Sequence, residues 1–228
     1  MFKYNLLSVN QDTKTIKGVE KGILTGILYL APSMESGFQT CPNASKGCKE
    51  ACLYTAGRGA FSNVKKARIN RTLRFFNDRE NFFKDIIMDI EILKIQAKRL
   101  NLIPCVRLNG TSDIDWQGIK AESGLSIIEL FNNIQFYDYT KFKNREPRFK
   151  NYHMTYSRKE TDSVTDIKAI IKKGINVAVV FKTIPSHWIG LRVISGEESD
   201  IRFNDPKGVI IGLIAKGKAK KDISGFVI

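Results

Sequence analysis

Short apolar runs alternate with stretches of helical periodicity along most of this chain. Six of the runs read as strands: Ile23–Leu30, Ile103–Leu108, Ile134–Tyr139, Tyr152–Tyr156, Val177–Phe181 and Val209–Ile214. The longest helical stretch, Ser62 to about Leu100, follows the first strand and divides near Asn77-Asp78, where Asp78 is expected to cap the second helix. In that second half Phe82, Phe83, Ile86, Ile90, Leu93, Ala97 and Leu100 share one side, the stripe a helix needs to pack on a sheet. Shorter helices are expected at Leu125–Asn132 and Ser163–Lys173, the latter stopped by Gly174. A polar opening segment predicts a hairpin through Asn10–Thr13. Strands separated by helices specify a parallel sheet. The expected fold is α/β: one domain over residues 1–228, an incomplete (βα) barrel of about six mainly parallel strands.

In such a barrel one strand face packs on helices, the other faces the lumen, and functional residues gather at the carboxyl ends of strands. Val106 and Leu108 alternate with Cys105, Arg107 and Asn109, and Asn109-Gly-Thr-Ser-Asp113 follows at once. The third strand ends in Tyr137-Asp-Tyr-Thr-Lys141. The fourth alternates His153, Thr155 and Ser157 with Tyr152, Met154 and Tyr156. A polar strand-to-helix loop is ordinary and supplies N-caps such as Ser112 or Asp113. Burying Arg107, Asn109 or His153 on a strand face without partners would cost on the order of several kcal/mol each, so these side chains are expected to line a wet or liganded cavity.

Composition adds a partner. The 228 residues carry 37 Lys and Arg against 23 Asp and Glu, a net charge of +14, which points to a polyanion and by default to nucleic acid or a nucleotide. Arg58, Lys65, Lys66, Arg68, Arg71, Arg74 and Arg79 are interleaved with Phe61, Phe75 and Phe76, so a basic helix could clamp phosphates while aromatics stack on bases. A solvated helix face with core phenylalanines would look the same. Lys216 and Lys218 follow the last strand and border the same mouth, and Phe226-Val-Ile228 is expected to dock back on it. Asp200, Arg202 and Asp205 read as an internal salt-bridge network. The ten-residue run Gly22–Ala31 is too short to span a bilayer and no signal-peptide core opens the chain, so a cytoplasmic protein is expected.

Candidate chemistry centres on cysteine. Three of the four cysteines fall in Cys41-Pro-Asn-Ala-Ser-Lys-Gly-Cys48-Lys-Glu-Ala-Cys52, directly after the first strand. A disulfide would leave one thiol over, and Pro42, Asn43, Ser45, Lys46 and Gly47 give the loop few of the apolar neighbours a core cysteine has. Structural zinc remains the rival, although its usual signature has two close CxxC pairs. The count and spacing favour an iron–sulfur cluster held by Cys41, Cys48 and Cys52, with a coordination position left open.

A cysteine loop after strand one of a (βα) sheet resembles the radical S-adenosylmethionine superfamily, whose loop holds a [4Fe–4S] cluster; its common motif is Cys-x3-Cys-x2-Cys, whereas six and three residues intervene here. A resemblance covering nearly the whole chain is carried by Thr40-Cys-Pro-Asn-Ala through Cys52-Leu53, Ala56-Gly-Arg-Gly59, Ala67-Arg-Ile-Asn-Arg-Thr72, Arg107-Leu-Asn-Gly-Thr-Ser-Asp-Ile114, Phe136-Tyr-Asp-Tyr-Thr-Lys141, Val177-Ala-Val-Val-Phe181 and Asp200-Ile-Arg-Phe203. These look like the phage and plasmid "gene product 88" family, which implies a mobile-element origin and a location in the host cytosol. The combined expectation is a radical-SAM-like iron–sulfur enzyme acting on nucleic acid or a nucleotide. In it Asn109, Gly110 and Thr111 would bind cofactor, S-adenosylmethionine being the kind the resemblance implies. Asn109, Ser112, Asp113, Asp138 and Ser157 would serve catalysis, and Arg58, Lys65, Lys66, Arg68, Arg71, Lys216 and Lys218 would meet phosphate. The alternatives are a non-enzymatic nucleic-acid-binding protein of a mobile element whose metal pins a loop, and hydrolytic zinc chemistry with Asp113 as base.

Overall fold

The computed structural model describes residues 2–11 and 13–228. Its elements are β1 (Leu7–Val9), α1 (Thr13–Glu20), β2 (Ile23–Leu28), α2 (Lys46–Glu50), α3 (Ser62–Asn77), α4 (Arg79–Arg99), β3 (Ile103–Arg107), α5 (Ile127–Leu130), β4 (Gln135–Thr140), β5 (Tyr152–Ser157), α6 (Val164–Lys172), β6 (Val177–Phe181), β7 (His187–Trp188), β8 (Leu191–Ser195) and β9 (Ile210–Ile214). Short 3₁₀ turns occupy Leu53–Thr55, Gly57–Ala60, Arg202–Asn204 and Gly217–Lys221.

Among the described residues nine strands form an open sheet in the order β1-β2-β3-β4-β5-β6-β9-β8-β7. The six expected strands are β2 to β6 and β9; they lie side by side in chain order, every neighbouring pair parallel. The count of six is corrected to nine. Strand β8 adds a parallel neighbour beyond β9, while β1 and β7 are antiparallel edges. The expected hairpin through Asn10–Thr13 is also corrected: β1 does pair antiparallel with β2, but helix α1 joins them. Residue 12 lies outside the described residues.

Helix α4 buries the expected stripe. Phe82, Phe83, Ile86, Ile90, Leu93 and Ala97 are sealed against Leu24, Leu28, Val106, Leu108 and Phe136 of the sheet. Leu100 is the exception, 52% exposed, because it caps the helix after the last packed turn. Asp78 stands between α3 and α4 as expected but makes no side-chain cap. Its carboxylate instead accepts from Asn81 Nδ2 at 2.9 Å and lies 3.7 Å from Arg74 Nε, so the charge is shared with side chains rather than with the helix N–H groups. Helix α6 has a full capping box, with Ser163 and Asp166 exchanging bonds, and Gly174 ends it at φ +81°.

The opposite sheet face carries the alternating polar residues, and it is covered rather than wet. Residues 199–204 fold across it, packing Ile201 and Phe203 on Ile23, Cys105 and Tyr137. They bring Asp200 to Arg107 at 2.5 Å, with the Tyr139 hydroxyl at 3.3 Å. Arg202 Nη1 lies 3.2 Å from Asp205 Oδ2, so the expected internal charge network is present. The cavity expected around Arg107 is thereby filled by a protein carboxylate. His153, on the same alternation, keeps a buried Nε2 without a hydrogen-bond partner. Burial, with the Arg202 and Lys207 charges, pushes its imidazole down to about 4 and keeps it neutral.

Candidate functional site

The cysteine loop leaves the carboxyl end of β2 and is fastened across the mouth of the sheet. Thr40 Oγ1 donates to Ala31 O at 2.6 Å, Thr111 Oγ1 to Leu30 O at 2.5 Å, and Asp113 N to Thr40 O at 2.8 Å. These bonds lock the loop after β2 to the loop after β3, and they put Cys41 Sγ 3.7 Å from Thr111 O. Gly110 is required at this crossing, because a Cβ there would lie 2.6 Å from Tyr29 Cδ1 and 2.8 Å from Leu28 O. The second and third cysteines ride on and just after α2. Ser45 Oγ caps that helix by accepting from Cys48 N at 3.3 Å. Glu160, beyond β5, takes Ser45 Oγ at 2.5 Å and Gly47 N at 2.8 Å. The chain terminus does dock back: Ile228 N donates to Val180 O at 3.0 Å, and Phe226 and Val227 pack with Ala51, Ala215 and Ala219 against Cys48.

All three thiols are half-buried and unpaired at this one mouth. Burial raises Cys41 and pushes Cys52 up to about 11, and both are raised further by Cys48, so the three sulfurs lie within each other's electrostatic reach. Two cations flank them. Arg68 acts on Cys52, and the charge of Cys48 acts on Lys141. A single tetrahedral zinc would need sulfurs about 3.8 Å apart, from Zn–S bonds near 2.3 Å. Among the described residues no group of three His, Cys, Asp or Glu side chains is disposed to hold one metal ion. The donor set is therefore three soft ligands in a shared mouth with positive neighbours, and it does not close on a point.

Three of the five strand-end residues assigned to catalysis, Asn109, Ser112 and Asp138, are bonded to one another. Asn109 Oδ1 accepts from Ser112 Oγ at 2.8 Å, Ile114 N at 3.0 Å and Trp116 Nε1 at 3.2 Å, while its Nδ2 donates to Ile114 O. Asp138 takes Asn109 N at 2.7 Å and the Tyr152 hydroxyl at 2.9 Å. Burial raises Asp138 to about 7, partly offset by Arg107 and these two bonds. Asp113 holds Arg145 Nη1 at 2.5 Å and accepts from Lys141 N at 2.8 Å; burial still raises it above the ordinary carboxylate value. Ser157 is half-buried at the end of β5, opposite Ala178 of β6. So Asn109, Ser112 and Asp138 build the loop after β3, and of the five Asp113 is the one that also lines an open cleft.

The basic residues divide. Gly217 packs on Ala56, so the turn carrying Lys216 and Lys218 sits beside the one carrying Arg58, and the expected rim comes together. Lys66 is exposed, Lys65 lies over the Tyr54 ring at 5.1 Å, and Lys216 pairs with Glu197 at 2.6 Å. Arg68, expected to meet phosphate, is buried, 8% exposed and stacked 4.6 Å from the Tyr29 ring centroid, with Nε and Nη1 unpartnered. Arg71 is half-buried, and burial lowers its pKa. Sequence reasoning gave Lys141 no role beyond a polar strand end and gave Lys143, Arg145 and Lys159 none. They line a cleft of about 790 Å³ together with the cysteine-loop residues Thr40 and Pro42. Their scatter over two strand-end loops gives no local pattern, although the run Lys141-Phe-Lys-Asn-Arg145 is basic and aromatic. Among the described residues no helix is long and apolar enough to cross a membrane.

No curated protein and no solved structure shows significant similarity to the chain. The pattern of one family, Gene product 88, matches residues 5–228, which take in the cysteine loop, every strand and the docked terminus; the chain belongs to that family.

Proposed function

We propose that the chain is a phage- or plasmid-type iron–sulfur protein whose Cys41, Cys48 and Cys52 hold a [4Fe–4S] cluster, and that it acts on nucleic acid or a nucleotide in the manner of radical-SAM-like enzymes. The observation that carries the reading is the position of the trio: three free, mutually interacting thiols on the loop after the first of six parallel strands that follow chain order. Such a cluster would supply one-electron reduction to a ligand bound beside it, S-adenosylmethionine being the class the resemblance implies. The chain's own residues do the positioning. Thr111 and Thr40 fix Cys41, Glu160 and Ser45 fix α2 under Cys48, and Arg68 and Lys141 offset the charge of the thiolates.

A second reading has its own support: Asn109, Ser112 and Asp138 spend their bonding capacity on the fold. On that reading the protein binds nucleic acid without catalysis and any metal only pins the loop. Anaerobic purification with iron, sulfide and zinc analysis, then spectra of the dithionite-reduced protein with and without S-adenosylmethionine, decides between them. Equal iron and acid-labile sulfide, lost in Cys48→Ser, is expected. A colourless protein carrying zinc or no metal, yet binding oligonucleotides, overturns the enzyme.

A further inference from the structure

We infer that the cleft between the cysteine loop and the loop after β4 is a binding site for single-stranded nucleic acid, with Arg79 and Lys159 as phosphate anchors and Phe76 and Phe142 as base platforms. The inference deepens the proposed function and takes from it only that the substrate is nucleic acid.

Charge is the first argument. The cleft of about 790 Å³ is lined by Arg79, Lys141, Lys143, Arg145 and Lys159 against Asp113 and Asp115. Both carboxylates are already answered, Asp113 by Arg145 at 2.5 Å and Asp115 by Arg148 at 3.2 Å. Lys141 turns inward to Arg158 O at 2.7 Å, and Lys143 meets Asp162 and Asp166 at 3.1 and 2.8 Å. Among the described residues Arg79 and Lys159 make no ion pair; Arg79 Nε donates to Phe75 O at 3.4 Å and its guanidinium lies 4.8 Å from the Phe75 ring centroid, so two cations at this cleft have no protein counter-charge. Each would release counterions on meeting a phosphate.

The aromatic surface is the second. Phe76 is stacked on Phe38, with centroids 4.3 Å apart and planes 5° from parallel; Phe75 meets its edge. Phe142 carries the Arg145 guanidinium 4.1 Å from its centroid. Phe76 and Phe142 are half-buried, held in place by these contacts while lining the cleft. Rigid π faces in one cleft with cations that lack a counter-charge suit unstacked bases, and they offer nothing to a duplex whose bases are covered. A site of this size holds a few groups rather than a helix, and the net charge of +14 extends the attraction along a longer strand. The cleft wall includes Thr40 and Pro42, the neighbours of Cys41, so a bound strand passes beside the first sulfur.

The test is fluorescence anisotropy of the full chain with a labelled thymidine oligonucleotide, an abasic strand of equal length and a duplex, each over a salt series. The single strand is expected to bind more tightly than either of the others. Arg79→Gln and Lys159→Gln should each weaken it several-fold and lower the salt slope by about 0.7. Phe142→Leu should cost at least about fivefold on the thymidine strand and nothing on the abasic one. Lys98→Gln, at the other end of the sheet, removes the same charge and should change little. Equal affinity for duplex and single strand, or equal losses from Lys98→Gln and Lys159→Gln, overturns the site. Iron analysis of the same preparations separates the two claims: binding without iron keeps the cleft and removes the cluster, and iron without cleft-dependent binding does the reverse.

Discussion

Asp138 lies enclosed on β4 between the Asn109 N–H and the Tyr152 hydroxyl, and burial outweighs both bonds and the nearby Arg107 to hold its pKa near 7 instead of 3.8. The folded state therefore prefers the protonated acid. Its contribution to stability is complete below about 3.8 and is lost as pH rises through about 7. His153 runs the other way, since its neutral form is favoured in the fold and its contribution fades as pH falls below 6.5 towards about 4. Comparing wild type with Asp138→Asn isolates the first slope. Urea midpoints at pH 5 and pH 8 should show wild type weakening relative to the variant at the higher pH, and parallel curves would show that Asp138 is ionised throughout. At this scale the sequence named Asp138 and Asn109 as polar residues at strand ends but could not tell bonding partners apart. Alternation says which face a side chain takes. It does not say that Trp116 and Ser112 fold back to occupy Asn109, nor that Asp200, 93 positions from Arg107, fills the space expected to be wet.

Elements are the most legible level of this chain, because strand and helix periods are local. Strands β2 to β6 and β9, the break between α3 and α4 and the Gly174 stop all follow from runs a few residues long. Strand β1 has three residues and β7 two, too short to display a period, and β8 is only partly buried. The missing Asp78 cap has a similar cause, since the competing side chains of Asn81 and Arg74 lie on neighbouring turns of both helices. Helix α2 shows the limit most clearly. It is five residues long and holds its place through a carboxylate more than a hundred positions away, Glu160, which accepts from Ser45 and Gly47. Glu160→Ala leaves those donors under the docked terminus without an acceptor, at a cost of about 1–3 kcal/mol. A lower urea midpoint should accompany faster labelling of Cys48 by a disulfide reagent. Unchanged labelling would show that α2 is held by Phe226 and Val227 alone.

Across the whole molecule the sheet is continuous while the apolar core is not. One cluster joins α3 and α4 to β2, β3 and β4 and reaches Tyr152 and Met154 of β5. A second begins at Tyr156 of the same strand and gathers α6, β6 and β9. Between them β5 and β6 pair only Tyr156 with Val177 and Ser157 with Ala178, whereas β6 and β9 pair along five positions. The seam between β3 and β4 is equally short, yet Val106, Leu108, Ile134 and Phe136 bury it within one cluster. A unit that shares few ladder bonds and little apolar surface with its neighbour opens without it. Native-state hydrogen exchange should therefore give the amides of Val177–Phe181 and Ile210–Ile214 a common opening free energy below that of Ile23–Leu28 and Ile103–Arg107. Such an opening would also release Ile228 from Val180, and with it the terminus that packs on Cys48, so the cysteine mouth is coupled to the weaker half. A single protection level across all these strands would mean that two ladder pairs suffice to bind the halves into one cooperative unit.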